Sequence, residues 1–207
     1  MMSGKIQSST GADAGRIERL AAFGRVFTTN VDEAAEQIGR IFCPHGLDPV
    51  GGTARDFHAR HNSADFDGIS VNYVSYGGSV AIDPGCLDRF FLLQVPLQGS
   101  ATIKTAGRDI ETAPGRLASL LTPTRPTQML WADCAQMILL IDRHMLERRA
   151  AALAETFMQP VEFEPEVDLA SPLGCALVGQ IDYLAAIAER TGPTGRLAPA
   201  ATAMLRE

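Results

Sequence analysis

Residues 90–112 read FFLLQVPLQGSATIKTAGRDIET, and this stretch decides the fold. Its first part, 90–97, is almost continuously apolar, which is typical of a strand that is buried on both faces. Segments 101–105 and 109–112 flank a turn at Ala106-Gly107, and this arrangement predicts a β-hairpin. The stretch therefore indicates short strands joined by tight turns.

Strand signals continue on both sides of this stretch, from about residue 55 to residue 141. Residues 69–76 alternate between apolar and polar side chains and end at Gly77-Gly78. Further strand candidates are 80–82, 117–121, 128–131 and 136–141. Turn signals at intervals of about 8 to 12 residues predict about eight strands in a small antiparallel barrel or sandwich, and not βαβ units.

Helical patterns flank the strand region. The first covers residues 31–42, where Asn30 is the predicted N-cap and Glu33 completes a capping box. Asp142 is predicted to cap a second helix. The apolar stripe of that helix consists of Leu146, Ala150, Leu153 and Phe157.

A third helix is predicted from Ser171-Pro172, a favourable N-cap and first-turn pair, to Gly192-Pro193. One face carries apolar residues at spacings of three and four, as in a coiled-coil seam. This predicted dimerisation seam comprises Leu173, Leu177, Ile181, Leu184 and Ala188. The alternative is that the same face packs on the chain's own barrel. A last helical segment begins near Leu197 and reaches Glu207 without a stop signal, as expected for a domain cut from a longer protein.

These elements predict an α+β fold in which an antiparallel β-barrel or sandwich follows an N-terminal helix and precedes a helical dimerisation subdomain. Three regions are expected. Residues 1–26 form a disordered leader or arm, residues 27–141 form the barrel, and residues 142–207 form the helical subdomain.

The composition bounds the possible functions. The chain has 207 residues, is 46% hydrophobic and carries a net charge of -6. Its basic residues are scattered, which argues against nucleic-acid binding by this segment, because phosphate contacts need clustered Lys and Arg. Four widely spaced cysteines without a CxxC motif favour free thiols in a reducing compartment. No apolar run approaches the roughly 20 residues of a membrane span. We therefore expect a cytoplasmic protein.

The sequence offers little support for catalysis. His58 and His61 are three residues apart, which on one strand places their rings on opposite faces and about 10 Å apart. Metal ligation by this pair would need a bulge. There is no GxSxG motif, no convincing Cys–His pairing and no phosphate-binding glycine loop. We expect no catalytic residues, no metal and no cofactor.

Several aromatic and polar side chains occupy candidate inward positions on the strands. A barrel that encloses a ligand needs apolar walls and a few convergent polar groups. The predicted ligand-binding residues are His58, Arg60, Tyr73, Phe91, Gln94, Met129 and Trp131. Arg60 or Arg125 would pair with a carboxylate, which points to an aromatic or other small organic acid. The alternative is that these residues are ordinary core and surface.

Seven segments occur in an order that carries a resemblance. They are DEAAEQIGRIFCPHGL (32–47), FHARHN (57–62), VSYG (74–77), LQVPLQG (93–99), APG (113–115), WADC (131–134) and IDR (141–143). Each is weak alone, but together they resemble the N-terminal effector-sensing domain of AraC-family transcriptional regulators. The resemblance extends over about residues 27–207.

The resemblance implies a cupin-like barrel followed by helices that form a homodimer. It also implies a helix-turn-helix domain, absent from this chain, through which the regulator binds promoter DNA in response to a small organic effector. The segment from Gly107 to Gly115 is similar to a cupin half-motif that has lost its metal-binding histidine. This favours a binding barrel over an oxygenase.

Two other functions stay open. The first is a metal-dependent cupin enzyme, an oxygenase or isomerase. The second is a dimerisation module without a small ligand, which a filled barrel lacking a cavity of roughly 300 Å³ would support.

Overall fold

The computed structural model describes residues 18–51, 57–154 and 160–193. In this part of the chain the elements follow one another as a 3₁₀ turn (Ala21–Phe23), β1 (Gly24–Thr28), α1 (Val31–Ile41), β2 (Gly46–Val50), β3 (Ala59–Asp65), β4 (Ile69–Tyr76), β5 (Ser79–Gly85), β6 (Phe90–Thr105), β7 (Arg108–Thr112), β8 (Leu117–Leu121), β9 (Thr127–Asp142), α2 (Arg143–Ala154), β10 (Glu166–Asp168) and α3 (Pro172–Thr191). The strands form a single antiparallel sheet that curls into a barrel-like sandwich. This confirms the predicted α+β fold.

The two longest strands, β6 and β9, are the centre of the sheet, and each is 16 residues long. They pair with each other and change their other partners along their length. Residues 127–132 of β9 pair with β5, whereas 135–141 pair with β4. The sequence predicted two separate strands in each of these places, because the bulges that join the halves leave no period that the pattern can follow.

Gly99 makes the bend in β6 possible. Its φ of +67° lies in the left-handed region, and a Cβ atom at this position would lie 2.3 Å from the carbonyl oxygen of Asp133 on β9. No side chain fits there without moving the backbone of β9. The bend therefore depends on glycine.

Two hydrophobic cores lie on opposite faces of the sheet. The inner core, enclosed by the curled sheet and α1, includes Ala34, Ile38, Phe42, Val74, Tyr76, Leu92, Trp131 and Ile138. The outer core lies under α3 and includes Val71, Tyr73, Leu93, Val95, Met137, Ile181, Leu184 and Ala188. Strand β4 contributes to both cores by alternation, with Tyr73 on one face and Tyr76 on the other.

The predicted helix starts are confirmed by their caps. The Asn30 side chain accepts a hydrogen bond from the Glu33 amide at 3.0 Å. The Asp142 carboxylate accepts one from the Met145 amide at 2.8 Å, and Ser171 Oγ accepts one from Gly174 at 3.0 Å. Each cap satisfies an amide that the helix itself leaves unpaired.

The predicted apolar stripe of α2 is not buried. Leu153 is 73% exposed, and within the described part of the helix only Glu147 is buried. The helix continues from the end of β9 and lies along the surface, so its apolar face meets little of either core. Phe157 and the predicted segment 197–207 lie outside the described residues.

The expected leader is only partly described, and residues 1–17 lie outside the described part. From residue 18 onward the chain is an ordered arm. Leu20 is fully buried in the outer core, its amide donates to Glu189 on α3 at 3.0 Å, and β1 pairs with β3. Apolar side chains at Leu20, Phe23 and Val26 explain this order, since they give the arm surface to bury.

Candidate binding site

A small cavity lies inside the inner core, between α1 and the curled sheet. Its volume is about 50 Å³. The walls come from Phe42 on the end of α1, His45 just after it, Tyr76 on β4, Gln94 on β6, and Met129 and Trp131 on β9. Pro84 in β5 and Leu87 between β5 and β6 also line it. The lining is mostly aromatic and aliphatic.

Two polar atoms of cavity-lining residues are buried without a hydrogen-bond partner among the described residues. They are Nε1 of Trp131 and Nε2 of His45. The other ring nitrogen of His45, Nδ1, lies 2.8 Å from the carbonyl oxygen of Cys43. A carbonyl only accepts, so Nδ1 carries the proton and Nε2 of the neutral ring is an acceptor. Two residues of the cavity lining therefore each have a buried polar atom without a partner, a donor on Trp131 and an acceptor on His45.

Gln94 is held in place by weak or neutral partners. Its Oε1 accepts a hydrogen bond from Ser119 Oγ at 3.1 Å, and its Nε2 lies 3.4 Å from the sulfur of Met129. A thioether is a weak acceptor, so the amide group of Gln94 keeps much of its capacity to donate.

Two ionisable side chains of the lining, Tyr76 and Cys43, are held neutral. Burial raises the pKa of the Tyr76 phenol. Burial also raises the pKa of the Cys43 thiol, and the charges of Arg89 and Asp88 act on it in opposite directions. Among the described residues, the cavity has no Asp, Glu, Lys or Arg in its lining. Its interior is consequently uncharged and apolar.

Three of the predicted ligand-binding residues come together at this cavity: Gln94, Met129 and Trp131. Alternation along β6 and β9 places these side chains on the inner face of the sheet, and their role in binding stays a prediction. Tyr73 lies in the outer core, on the opposite face of β4. Phe91 also faces away from the cavity and meets Phe163 edge-on, with ring centroids 5.5 Å apart.

The placement of Arg60 corrects the expectation that it binds a ligand carboxylate inside the barrel. Ala59 and His61 face the inner core, so His58 and Arg60 project from the other face of β3. The Arg60 guanidinium pairs with Glu18 and lies 4.7 Å from the ring centroid of Phe27. Arg125, the other candidate, donates to Glu162 at 2.6 Å near the surface.

His61 is buried beside the cavity wall. Its ring stacks on Phe42 with centroids 5.2 Å apart, and its Nε2 lies 2.9 Å from Oδ1 of Asn72. Burial lowers the pKa of His61 to about 4, an effect that exceeds the opposing hydrogen bond to Asn72. Within the described residues, no group of three or more His, Cys, Asp or Glu side chains is arranged to hold a metal ion.

The cavity also contains residues that the sequence analysis missed, notably His45, Phe42 and Tyr76. His45 lies between α1 and β2, where no strand or helix period assigns a face. For Phe42, the apolar spacing of α1 was the available signal, because it placed this residue on the buried side of the helix.

The residues of the predicted dimerisation seam all lie on α3. Ile181, Leu184 and Ala188 are buried under α3 by the chain's own sheet, and Leu177 packs partly against the same core. Leu173 is 67% exposed. The seam therefore faces the barrel, and a partner subunit would have to meet the other side of α3.

The sequence profile of the AraC-binding-like domain matches residues 34–207. The chain belongs to this family. The match spans the barrel and the helical region that follows it, in agreement with the resemblance seen in the seven sequence segments.

Several solved structures are similar to this chain. The AraC-like transcriptional activator CuxR is similar with a TM-score of 0.61 at 15% identity, over 88% of this chain and 67% of that one. KdgF from Halomonas sp. has a TM-score of 0.37 at 12% identity, over 47% of this chain and 86% of that one. The Cnp3 cupin domain of Schizosaccharomyces pombe has a TM-score of 0.38 at 7% identity, over 45% and 71% respectively. The likeness to CuxR shows a shared fold.

No curated protein sequence matches the chain significantly. Among the described helices, none is both long and apolar enough to cross a bilayer. The family match identifies an AraC-binding-like domain, and its barrel has the fold that it shares with CuxR.

Proposed function

We propose that this AraC-binding-like domain senses a small organic effector inside its barrel and, as a cytoplasmic homodimer, transmits the signal to a DNA-binding domain of a transcription regulator. The observation that carries the proposal is the cavity of the inner core, whose lining includes Trp131 and His45, each with a buried polar atom that has no partner. The chain itself would act through binding and not through catalysis.

Unpaired polar atoms in an apolar interior favour an occupant. A buried donor or acceptor without a partner costs about 1–3 kcal/mol. Trp131 and His45 both border the same cavity, so a molecule placed there is positioned to satisfy them.

The size of the cavity connects binding to movement. A volume of about 50 Å³ is well below the roughly 300–1,000 Å³ of typical small-molecule sites. An effector larger than a few atoms must therefore displace part of the wall, and α1, which closes one side with Ile38 and Phe42, is the separate element available to move. A state that binds the effector better would then become more populated.

A second part of the wall is connected to α2. Leu87 and Phe90 border the cavity, and the two residues between them are bonded to the start of α2. The Arg143 amide donates to the carbonyl of Arg89 at 2.9 Å, and the Arg143 guanidinium donates to the carbonyl of Asp88 at 3.2 Å. Movement of this wall would consequently shift the helix that follows the barrel.

Dimerisation is proposed through the outward face of α3. Leu173 and Tyr183 are exposed to 67% and 51%, and Ala176 and Gly179 lie between them on the same face. Small residues allow two helices to approach closely, and the large flanking side chains supply apolar area. The occupant that we propose for this face is the same helix of a second copy of the chain.

A chimera tests the proposed function. The chain is fused to a monomeric DNA-binding domain whose target promoter requires a dimer, and transcription is measured across a panel of small organic compounds. We expect basal activity from dimerisation and a saturable response to at least one compound. The response should be lost in Leu92→Phe, which fills the cavity, and kept in the matched surface variant Leu130→Phe.

The second candidate function is a dimerisation module that takes no small ligand, and the small cavity volume favours it. This candidate predicts that Leu92→Phe leaves the chimera's transcription unchanged under all conditions. It also predicts that no compound in the panel alters transcription while Leu173→Glu abolishes it.

A further inference from the structure

We infer that the barrel takes an uncharged ligand that carries a hydrogen-bond acceptor and a hydrogen-bond donor, such as an alcohol or phenol, and that it discriminates against organic acids. This inference rests on the proposed effector site and specifies its ligand class. It also replaces the expectation from the sequence that the effector is an acid.

An anion bound in the cavity would need a positively charged side chain in the lining. The described residues that line the cavity include no Lys or Arg. Arg60 is paired with Glu18 on the far face of β3, and Arg125 donates to Glu162. Arg89 is exposed, next to Asp88 of opposite charge. A carboxylate moved from water into this interior would lose its solvation without a Lys or Arg to balance its charge, which is unfavourable.

Trp131 and His45 have complementary buried atoms without partners, one a donor and the other an acceptor. The indole Nε1 of Trp131 only donates a hydrogen bond, whereas Nε2 of His45 in its assigned tautomer only accepts one. A hydroxyl group both accepts and donates, so an alcohol or phenol matches the two requirements. A carboxylate could accept from Trp131, but it has no proton for His45.

The shape and size of the cavity limit which ligands it accepts. Phe42, Tyr76 and Trp131 give the cavity aromatic walls, and the rings of Tyr76 and Trp131 meet at 62°. About 10–15 Å³ of such space holds one water molecule, so 50 Å³ accepts only a few atoms without movement of the walls. A short alcohol fits directly, and a phenol fits after α1 moves outward.

Trp131 makes the test site-specific, because it is the only tryptophan of the chain. Its indole N–H gives one resonance in a ¹H–¹⁵N spectrum of the purified 207-residue chain. Two matched pairs are titrated at neutral pH, 1-propanol against propionate and phenol against benzoate. We expect at least one neutral member to shift the indole resonance saturably, while its acid partner leaves the resonance unchanged at the same concentration.

Variants then test whether Nε2 of His45 is the acceptor for the ligand. His45→Phe removes Nε2 but keeps a ring of similar shape, and we expect it to weaken binding of the neutral probe about tenfold, the value of one hydrogen bond to a buried group. His58→Phe is the matched control on the other face of β3 and should leave the affinity unchanged. The comparison of neutral and acidic probes needs only the unmodified chain, so it stands even where His45→Phe does not fold.

The outcomes separate the inference from the function on which it rests. Saturable shifts from propionate or benzoate, but not from the neutral partners, would overturn the neutral ligand class and leave the barrel as an effector site. If neither member of either pair moved the indole resonance, the free N–H would be satisfied by buried water only, and the inference would be overturned. If, in addition, Leu92→Phe left the response of the chimera intact, the proposed effector site would fail as well.

Discussion

The indole ring of Trp131 and the phenol ring of Tyr76 pack against each other inside the barrel, with centroids 5.5 Å apart and an interplanar angle of 62°. Trp131 lies on β9 and Tyr76 at the end of β4, and each is 2% exposed. The contact joins two strands across the inner core and forms one wall of the cavity. The same two rings therefore contribute to folding and to the proposed site.

Truncation of Trp131 is expected to destabilise the fold. Trp131→Ala removes a large buried ring, and such changes typically lower the free energy of unfolding by about 3–5 kcal/mol. Leu130→Ala, on the next residue of the same strand, is the control, because Leu130 is 43% exposed and should cost less than about 1 kcal/mol. Urea denaturation measures both. Equal losses in the two variants would show that the inner core is not packed as described.

Gly99 and Gly107 form a matched pair for backbone geometry. Both have positive φ, +67° and +73°, but only Gly99 has backbone atoms where a Cβ would lie. Gly107→Ala should cost about 1–2 kcal/mol from conformational strain alone. Gly99→Ala should cost clearly more, because β9 must also move. Thermal unfolding of the two variants provides the comparison, and similar melting temperatures would contradict the bend in β6.

Stability should depend on pH through His61. Its pKa is lowered from 6.5 to about 4, so the native state stays neutral while the unfolded chain binds a proton between these values. The unfolded state therefore binds more protons in this window, and the contribution of His61 is lost as pH falls from about 6.5 to 4, by about 3 kcal/mol in all.

Chemical denaturation at several pH values tests this dependence. His61→Phe should flatten the slope of unfolding free energy against pH between about 6.5 and 4. His58→Phe, which removes a half-buried histidine just before β3, is the control for the loss of a histidine. If His61→Phe showed the same slope of unfolding free energy against pH as the wild type, the pH dependence would belong to other groups.

The outward face of α3 predicts the oligomeric state. Tyr183→Glu introduces a charge into the proposed contact between two copies, and we expect it to convert the proposed dimer to a monomer. Leu153→Glu is the control, since Leu153 is also exposed, on α2, but lies outside that contact. Light scattering over a range of concentrations gives the mass. A stable Tyr183→Glu dimer would place the interface elsewhere.

The link between the cavity wall and α2 predicts a variant that binds but does not respond. Arg143→Ala removes the hydrogen bond to the Asp88 carbonyl, and Glu147→Ala is combined with it so that no unpaired carboxylate stays buried. We expect the double variant to bind effector normally and to lose most of the transcriptional response of the chimera. Arg148→Ala, exposed on the same helix, should respond normally. An intact response in the double variant would exclude this route.

The sequence predicted most of the fold because its signals are local. Caps at Asn30, Asp142 and Ser171 fixed the helix starts, and alternation located β4 and β8 within a residue. The same local signals could not join the halves of β6 and β9. Bulges interrupt the period there, and the pairing that holds the halves together comes from distant strands.

The candidate site was predicted only where the facing direction of a strand could be inferred. Gln94, Met129 and Trp131 lie on strands whose sequence pattern shows which face is apolar. For β3, alternation defined two faces without showing which is inside, so Arg60 was placed in the barrel although it lies on the other side. The periodic face of α3 likewise identified buried residues without showing whether they meet the sheet or a partner subunit.

Calorimetric titration of the purified chain with neutral aromatic alcohols tests the central claim most directly. The account predicts binding of one molecule per chain, abolished by Leu92→Phe, which fills the cavity, and unaffected by Arg60→Ala on the outer face. Binding that survives Leu92→Phe, or that disappears in Arg60→Ala, would contradict a ligand site inside the barrel.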